Sequence, residues 1–110
     1  KETADLEAEL PTLDVLYMTR IQQERFFNEE DYLRLKGCYS LNAKLMEQAP
    51  ADMPVLHPLP RIDEIKLDVD NDPRAAYFDQ VHNGVYIRMA IILALLGIPD
   101  PLTGKSVLHA

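Results

Sequence analysis

"PVLHPL", residues 54 to 59, decides the fold class, together with "DVLYMT" at residues 14 to 19. Both are short, mostly continuous apolar runs with no polar alternation, the pattern of strands buried on both faces of a parallel sheet. "CYSL" (38 to 41) is a weaker third candidate. Between them, "NEEDYLRLKG" (28 to 37) reads as a helix, with Asn28 as N-cap, acidic residues in the first turn, Lys36 in the last turn and Gly37 beyond it. A shorter helix is expected over Ala43 to Gln48, capped by Asn42 and ended before Pro50. The result is two β-α-β units in succession. Downstream, Asp72 and Pro73 form an N-cap and first-turn pair, and 74–96 is expected to be helical until Gly97 and Pro99 stop it. Tyr77, Val81, Val85, Met89, Leu93 and Leu96 would share its apolar face. Asn83-Gly84 inside that helix implies a close neighbour, a bend or a break. The opening "KETADLEAELPTLD" reads as an acidic helix leading into the first strand. Three strands are few for a parallel sheet, so the expected fold is α/β, a parallel sheet with flanking helices that lacks its first strands.

At 110 residues, with 47% hydrophobic and 26% charged side chains, the chain fits a single globular core. Eleven Lys and Arg against 18 Asp and Glu leave a formal charge of −7, which argues against a nucleic-acid partner, because such binders gather cations to displace phosphate counterions. The longest apolar stretch, "MAIILALLGI" (89 to 98), is about half the roughly 20 residues that a membrane-spanning helix needs, so no membrane partner is expected. One cysteine, Cys38, excludes an internal disulfide and agrees with a reducing, cytoplasmic setting; as a thiol between Gly37 and Tyr39 it reads as a small core residue. His57, His82 and His109 have no metal-ligand spacing, the four glycines never cluster, and the acidic run from Asp63 to Asp72 lacks the alternation of a calcium loop and reads as a solvated face. Neither a metal nor a cofactor is expected.

Chemistry in an open α/β sheet sits beyond the carboxyl ends of the strands. The first run exits into "TRIQQER", where Arg20 offers a planar fork for a carboxylate or phosphate and Gln22 lies two residues on. The competing role for Arg20 is a helix cap or a local ion pair. The other run exits into "HPLPRIDEI" (57 to 65), whose prolines remove donors and fix φ, holding the carbonyls of His57, Pro58 and Leu59 as rigid acceptors suited to an NH2 group. A plain strand-ending turn accounts for the same prolines. His57 has no acid beside it in sequence and reads as a structural group rather than a catalyst.

"VLYMTRIQQER", "VLHPLPRIDEI" and "DPRAAYFDQVHNGVYIRMAIILALLG" together resemble consecutive blocks of the aspartate-binding domain of the aspartate carbamoyltransferase family, over nearly everything from Asp14 to Gly97. The resemblance implies a Rossmann-like domain that transfers a carbamoyl group from carbamoyl phosphate to the amino group of L-aspartate, in pyrimidine synthesis, within homotrimers. It implies that Arg20 grips the side-chain carboxylate of aspartate with Gln22 assisting, and that the carbonyls of Pro58 and Leu59 receive the amino group of carbamoyl phosphate, with Pro60 completing the loop. Arg25 would tie the aspartate loop to the other domain, and Tyr32 and Asp63 would form a contact that changes as that loop moves. Many members carry lysine where this chain has Gln23, and the tail "PDPLTGKSVLHA" matches nothing in the pattern. The family's Ser-Thr-Arg-Thr phosphate motif, borrowed lysine and His-Pro-Thr-Gln segment belong to the carbamoyl-phosphate domain and are absent, so residues 1–110 are expected to lack catalytic groups and to be inactive alone. Regulatory subunits or fused domains are compatible with this membership. Ornithine carbamoyltransferase is the nearest rival, but an arginine would repel its ammonium and that family places cysteine where Pro58 stands. Two further rivals are a non-catalytic carbamoyltransferase-like assembly domain and a generic α/β ligand-binding module.

Overall fold

The computed structural model describes residues 2–21 and 27–107, the side chains of 35–38 excepted. Two units are distinguished, residues 1–77 and residues 78–110. In the first unit the order is α1 (Leu6–Glu9), a 3₁₀ turn (Leu10–Thr12), β1 (Leu16–Tyr17), α2 (Glu29–Cys38), α3 (Ala43–Met46), β2 (Val55–Leu56) and a 3₁₀ turn (Leu67–Asn71). Helix α4 (Tyr77–Leu96) leads into the second.

The strands β1 and β2 pair in parallel, Leu16 opposite Val55 and Tyr17 opposite Leu56, with Leu16 N–H donating to Pro54 O at 3.0 Å and Met18 N–H to Leu56 O at 2.8 Å. The two runs that announced a parallel sheet therefore lie side by side. Their burial differs from the expected pattern: Leu16 and Met18 are buried, but Val15 and Tyr17 are 49% and 53% exposed. Successive side chains of a strand point to opposite faces, and only one face of β1 meets the core. That core is Leu10, Leu16, Met18, Leu41, Met46, Met53, Val55, Ile65, Val69 and Tyr77.

The third strand expected at 38–41 is not formed. Cys38 ends α2, which runs through Gly37, and only Leu41 pairs, bridging to Ile65 through Leu41 N–H to Glu64 O and Lys66 N–H to Leu41 O, both 2.8 Å. Glycine inside a helix costs only about 1 kcal/mol, so it does not stop α2 by itself; the turn comes where Ser40 Oγ donates to Asp63 O at 2.8 Å and Leu41 enters its bridge. The N-caps are as read: Asn28 Oδ1 accepts from Asp31 N–H at 2.8 Å, and Asn42 Oδ1 from Leu45 N–H at 2.9 Å, although α3 closes at Met46 rather than Gln48.

Helix α4 begins at Tyr77, three residues later than expected, because 74–76 serve the sheet instead. Val55 N–H donates to Arg74 O at 2.8 Å and Ala76 N–H donates to Val55 O at 3.0 Å, so Val55 is paired on both sides. Asp72 does not cap the helix; it holds Arg74, accepting from its backbone N–H (2.9 Å), Nε (2.9 Å) and Nη2 (2.7 Å), while Arg74 Nη1 donates to Ala49 O and Pro50 O. The 3₁₀ turn before it carries Asp70, whose carboxylate pairs with Arg61 and accepts from Tyr77 OH. In the second unit α4 continues unbroken through Asn83-Gly84, where a side chain would meet only the flexible end of Arg88. Gly97, at φ 65°, ends it, with Ile98 N–H returning to Leu93 O at 2.9 Å. Val81, Val85, Met89 and Leu96 on its apolar face are more than a third exposed. The tail folds around Asp100, which accepts from Leu102 N–H and Thr103 Oγ1, and with α4 it lines a groove of about 550 Å³ between Met89, Leu93, Leu102 and Val107. No described helix is long and apolar enough to cross a membrane.

Candidate functional site

Because β1 and β2 are parallel and in register, their carboxyl ends leave the sheet at the same edge. One end delivers Met18, Thr19 and Arg20, the other His57 to Pro60. Arg20 is exposed and forms no ion pair with any described residue, so the competing role as a local ion pair finds no described acid. Gln22 and Arg25, the other two members of that loop expected to act, lie outside the described residues, as does Gln23.

The second loop is built from within. His57 is 1% exposed, and its ring makes two bonds: Nδ1 accepts the Leu59 backbone N–H at 2.8 Å, and Nε2 lies 2.7 Å from Glu64 Oε1. Nδ1 therefore carries the lone pair and Nε2 the proton. The other oxygen of Glu64 accepts the N–H groups of Ile62 and Asp63, each at 3.1 Å. Burial alone would push the Glu64 carboxyl up, but its own and Ile62's backbone N–H groups and the His57 ring outweigh it and hold it below the usual range. Leu59 stands at φ 50°, in the left-handed region that leucine seldom adopts, and the Leu59–Pro60 bond is cis. Pro58 and Pro60 are exposed, Leu59 is half-buried, and no described residue donates to the carbonyls of Pro58 or Leu59. The loop is anchored through the Leu59 N–H, and its Pro58 and Leu59 carbonyls take no described donor.

Beyond Pro60, Arg61 turns back into the fold. Its guanidinium grips both oxygens of Asp70, the Nη2–Oδ2 bond at 2.6 Å, donates to Tyr77 OH at 3.2 Å, and lies 5.5 Å from the Tyr77 ring centre. The Arg61 bond lowers the Asp70 carboxyl and raises the guanidinium in turn; burial, then the Asp70 bond, pushes the Tyr77 phenol up to about 12. Tyr32 and Asp63, expected to touch, line one crevice with Ile21, Tyr39, Ile62 and Glu64, of about 10 Å³, room for one water at most. Asp63 also lies 3.8 Å from Lys66 Nζ.

The acidic run is thus not the solvated face expected from its composition: Glu64, Asp70 and Asp72 each serve an internal partner. Glu64, the partner of the His57 ring, is the contact of this loop that the sequence did not announce. The signal was the odd pairing of a histidine and a carboxylate seven positions apart across a proline turn. No cluster of metal-ligating side chains exists among the described residues.

The chain is similar to known proteins. The family described as "Aspartate/ornithine carbamoyltransferase, Asp/Orn binding domain" matches residues 1–95. The aspartate carbamoyltransferase catalytic subunit of Lachnoclostridium phytofermentans is 61% identical over 98 residues, covering 89% of this chain and 32% of that protein. That of Bifidobacterium longum subsp. infantis is 54% identical over 113 residues, 99% of this chain and 35% of the relative. Among solved structures, aspartate transcarbamoylase of Trypanosoma cruzi with carbamoyl phosphate is similar at a TM-score of 0.70 and 43% identity, over 78% of this chain and 27% of that one. The catalytic subunit of the M. jannaschii enzyme is similar at 0.72 and 41%, over 86% and 30%. The chain spans about a third of the length of the curated relatives it matches.

Proposed function

The chain belongs to the aspartate/ornithine carbamoyltransferase family through that family's Asp/Orn binding domain, and from this premise we propose that residues 1–110 are the C-terminal, aspartate-binding domain of an aspartate carbamoyltransferase. The observation that carries the reading is the common sheet edge, from which an exposed guanidinium and an anchored row of carbonyl oxygens emerge. Relatives 54% to 61% identical bear the aspartate name, and the T. cruzi enzyme has been solved with aspartate and phosphate and with N-(phosphonacetyl)-L-aspartic acid. In this reading Arg20, helped by Gln22, binds the side-chain carboxylate of aspartate, and the carbonyls of Pro58 and Leu59, stiffened by Pro60, take the NH2 of carbamoyl phosphate.

The amino nitrogen of aspartate then attacks the carbamoyl carbon. The C–N bond forms, the bond from carbon to the phosphate oxygen breaks, and the proton lost by the amino group ends on the departing phosphate, which leaves as hydrogen phosphate. Positioning and charge stabilisation drive the step, with no cofactor and no metal. The phosphate-binding groups and any catalytic lysine come from an N-terminal carbamoyl-phosphate domain, in a cytoplasmic homotrimer of the pyrimidine pathway that regulatory subunits or fused domains can join. Arg25 links the aspartate loop to that domain, and Tyr32 and Asp63 report its opening and closing.

Steady-state kinetics on the full-length protein tests the assignment. Arg20→Ala should raise KM for aspartate by roughly 10- to 100-fold, the worth of a charge-assisted bidentate contact, while carbamoyl phosphate binding changes little. An unchanged aspartate dependence refutes the role of Arg20.

A further inference from the structure

We propose that His57 and Glu64 act as positioning residues: the carboxylate locks the imidazole in one neutral tautomer, and the imidazole in turn aims the Pro58 carbonyl at the amino group of carbamoyl phosphate. This deepens the functional reading above and rests on it. The mechanics follow from one peptide plane. The Pro58–Leu59 bond is trans, since only Leu59–Pro60 is cis among the described bonds, so the Leu59 N–H and the Pro58 C=O point in opposite directions. The N–H is drawn inward onto His57 Nδ1 at 2.8 Å, and the carbonyl is thereby turned outward.

That inward bond exists only while Nδ1 keeps its lone pair. The proton must then sit on Nε2, and Glu64 Oε1, 2.7 Å away, is the acceptor that holds it there. Glu64 is fixed in its turn by the Ile62 and Asp63 N–H groups on its second oxygen. Histidine and glutamate are 1% and 5% exposed, so bulk water cannot replace a lost partner. The bond also holds Leu59 at φ 50°, a conformation that leucine does not keep unaided.

The chemistry separates three substitutions. In Glu64→Gln, an amide nitrogen turned to the ring needs a lone pair on Nε2, which moves the proton to Nδ1 and orphans the Leu59 N–H; turned the other way, it sets a donor against the Ile62 and Asp63 donors. His57→Gln can reach Glu64 but offers Leu59 no acceptor in the place of Nδ1. His57→Asn puts Oδ1 close to that place and keeps the acceptor.

In the full-length protein, binding of carbamoyl phosphate is compared with binding of inorganic phosphate, which has no NH2 group. Glu64→Gln and His57→Gln should weaken carbamoyl phosphate about tenfold and phosphate by less than about twofold, while His57→Asn keeps carbamoyl phosphate within about threefold. Parallel loss of both ligands, or an unchanged ratio between them, overturns the proposal. Should the variants not fold, nitrogen-15 NMR of the unsubstituted protein with labelled histidine decides: a protonated Nε2 and bare Nδ1 support it, a protonated Nδ1 overturns it. Absence of carbamoyl transfer by the unsubstituted protein overturns the functional reading itself, whereas transfer with an unchanged ligand ratio overturns the positioning role alone.

Discussion

Replacing Asp70 by asparagine isolates the charge that ties the loop's far end to the fold. Asp70 accepts both arms of the Arg61 guanidinium and the Tyr77 hydroxyl, and the Arg61 and Asp70 side chains are 13% and 25% exposed. Exposed pairs contribute about 0 to 1 kcal/mol, whereas breaking a buried pair costs about 3 to 5. A pair at this exposure falls between, and asparagine keeps one acceptor, so Asp70→Asn should cost about 2 kcal/mol near neutral pH. The effect has a pH signature. Arg61 holds the Asp70 carboxyl below its ordinary 3.8, against some resistance from burial. Between the folded and unfolded values the unfolded chain binds more protons, so stability falls as pH falls. The contribution is complete above about pH 4 and disappears as the folded carboxyl protonates. Urea denaturation of the parent and variant proteins, followed by circular dichroism at a series of pH values, should therefore show a constant gap from neutrality down to about pH 4 that closes below it. A gap under about 0.5 kcal/mol, or one that persists into strong acid, would refute the assignment of the pair as a charged, fold-supporting contact.

At the alkaline end the sign reverses. The Tyr77 phenol is raised from 10.0 to about 12 by burial and Asp70, so its contribution is complete below pH 10 and lost as pH rises through 12; Tyr77→Phe should abolish that slope in alkaline denaturation curves. Leu41 is fully buried and carries the bridge to Ile65, so Leu41→Ala should cost about 2 to 5 kcal/mol in the same urea assay, through lost burial and the cavity left behind. A cost below about 1 kcal/mol would mean that the site collapses freely, contrary to its place in the core.

The parallel pairing was legible because two short runs without polar alternation have few other uses, and the end of α4 because Gly97 takes the left-handed cap that glycine favours. The beginning of α4 was not legible. Asp72-Pro73 is a sound local start signal, but Arg74 to Ala76 are claimed by a strand about twenty residues upstream, which no local pattern records. The same holds at Cys38, where a helix outruns its glycine until a distant bridge stops it. Around the candidate site, the placement of Arg20 and of the proline turn at strand ends was legible. Glu64 was not, because a carboxylate in a run of acids reads as solvated until the turn folds it back onto His57.

A chain of charge −7 is proposed to bind two anionic ligands, and ion pairing, which removes one charge of each sign, leaves that net charge unchanged. A diffuse negative field should repel aspartate and carbamoyl phosphate. Within the first unit, however, the charges are not spread evenly. Asp70 and Asp72 are neutralised by Arg61 and Arg74, and Glu64 is shielded below the loop by the His57 ring and two backbone donors. Arg20, exposed at the end of β1 and in no ion pair with a described residue, is open to the anionic ligand proposed above. Inside about one Debye length, roughly 8 Å at physiological salt, such a local cation outweighs distant screened charges. The half-buried Arg61 and Arg74 hold carboxylates of the fold, and in the proposed function the exposed Arg20 at the end of β1 supplies the attraction.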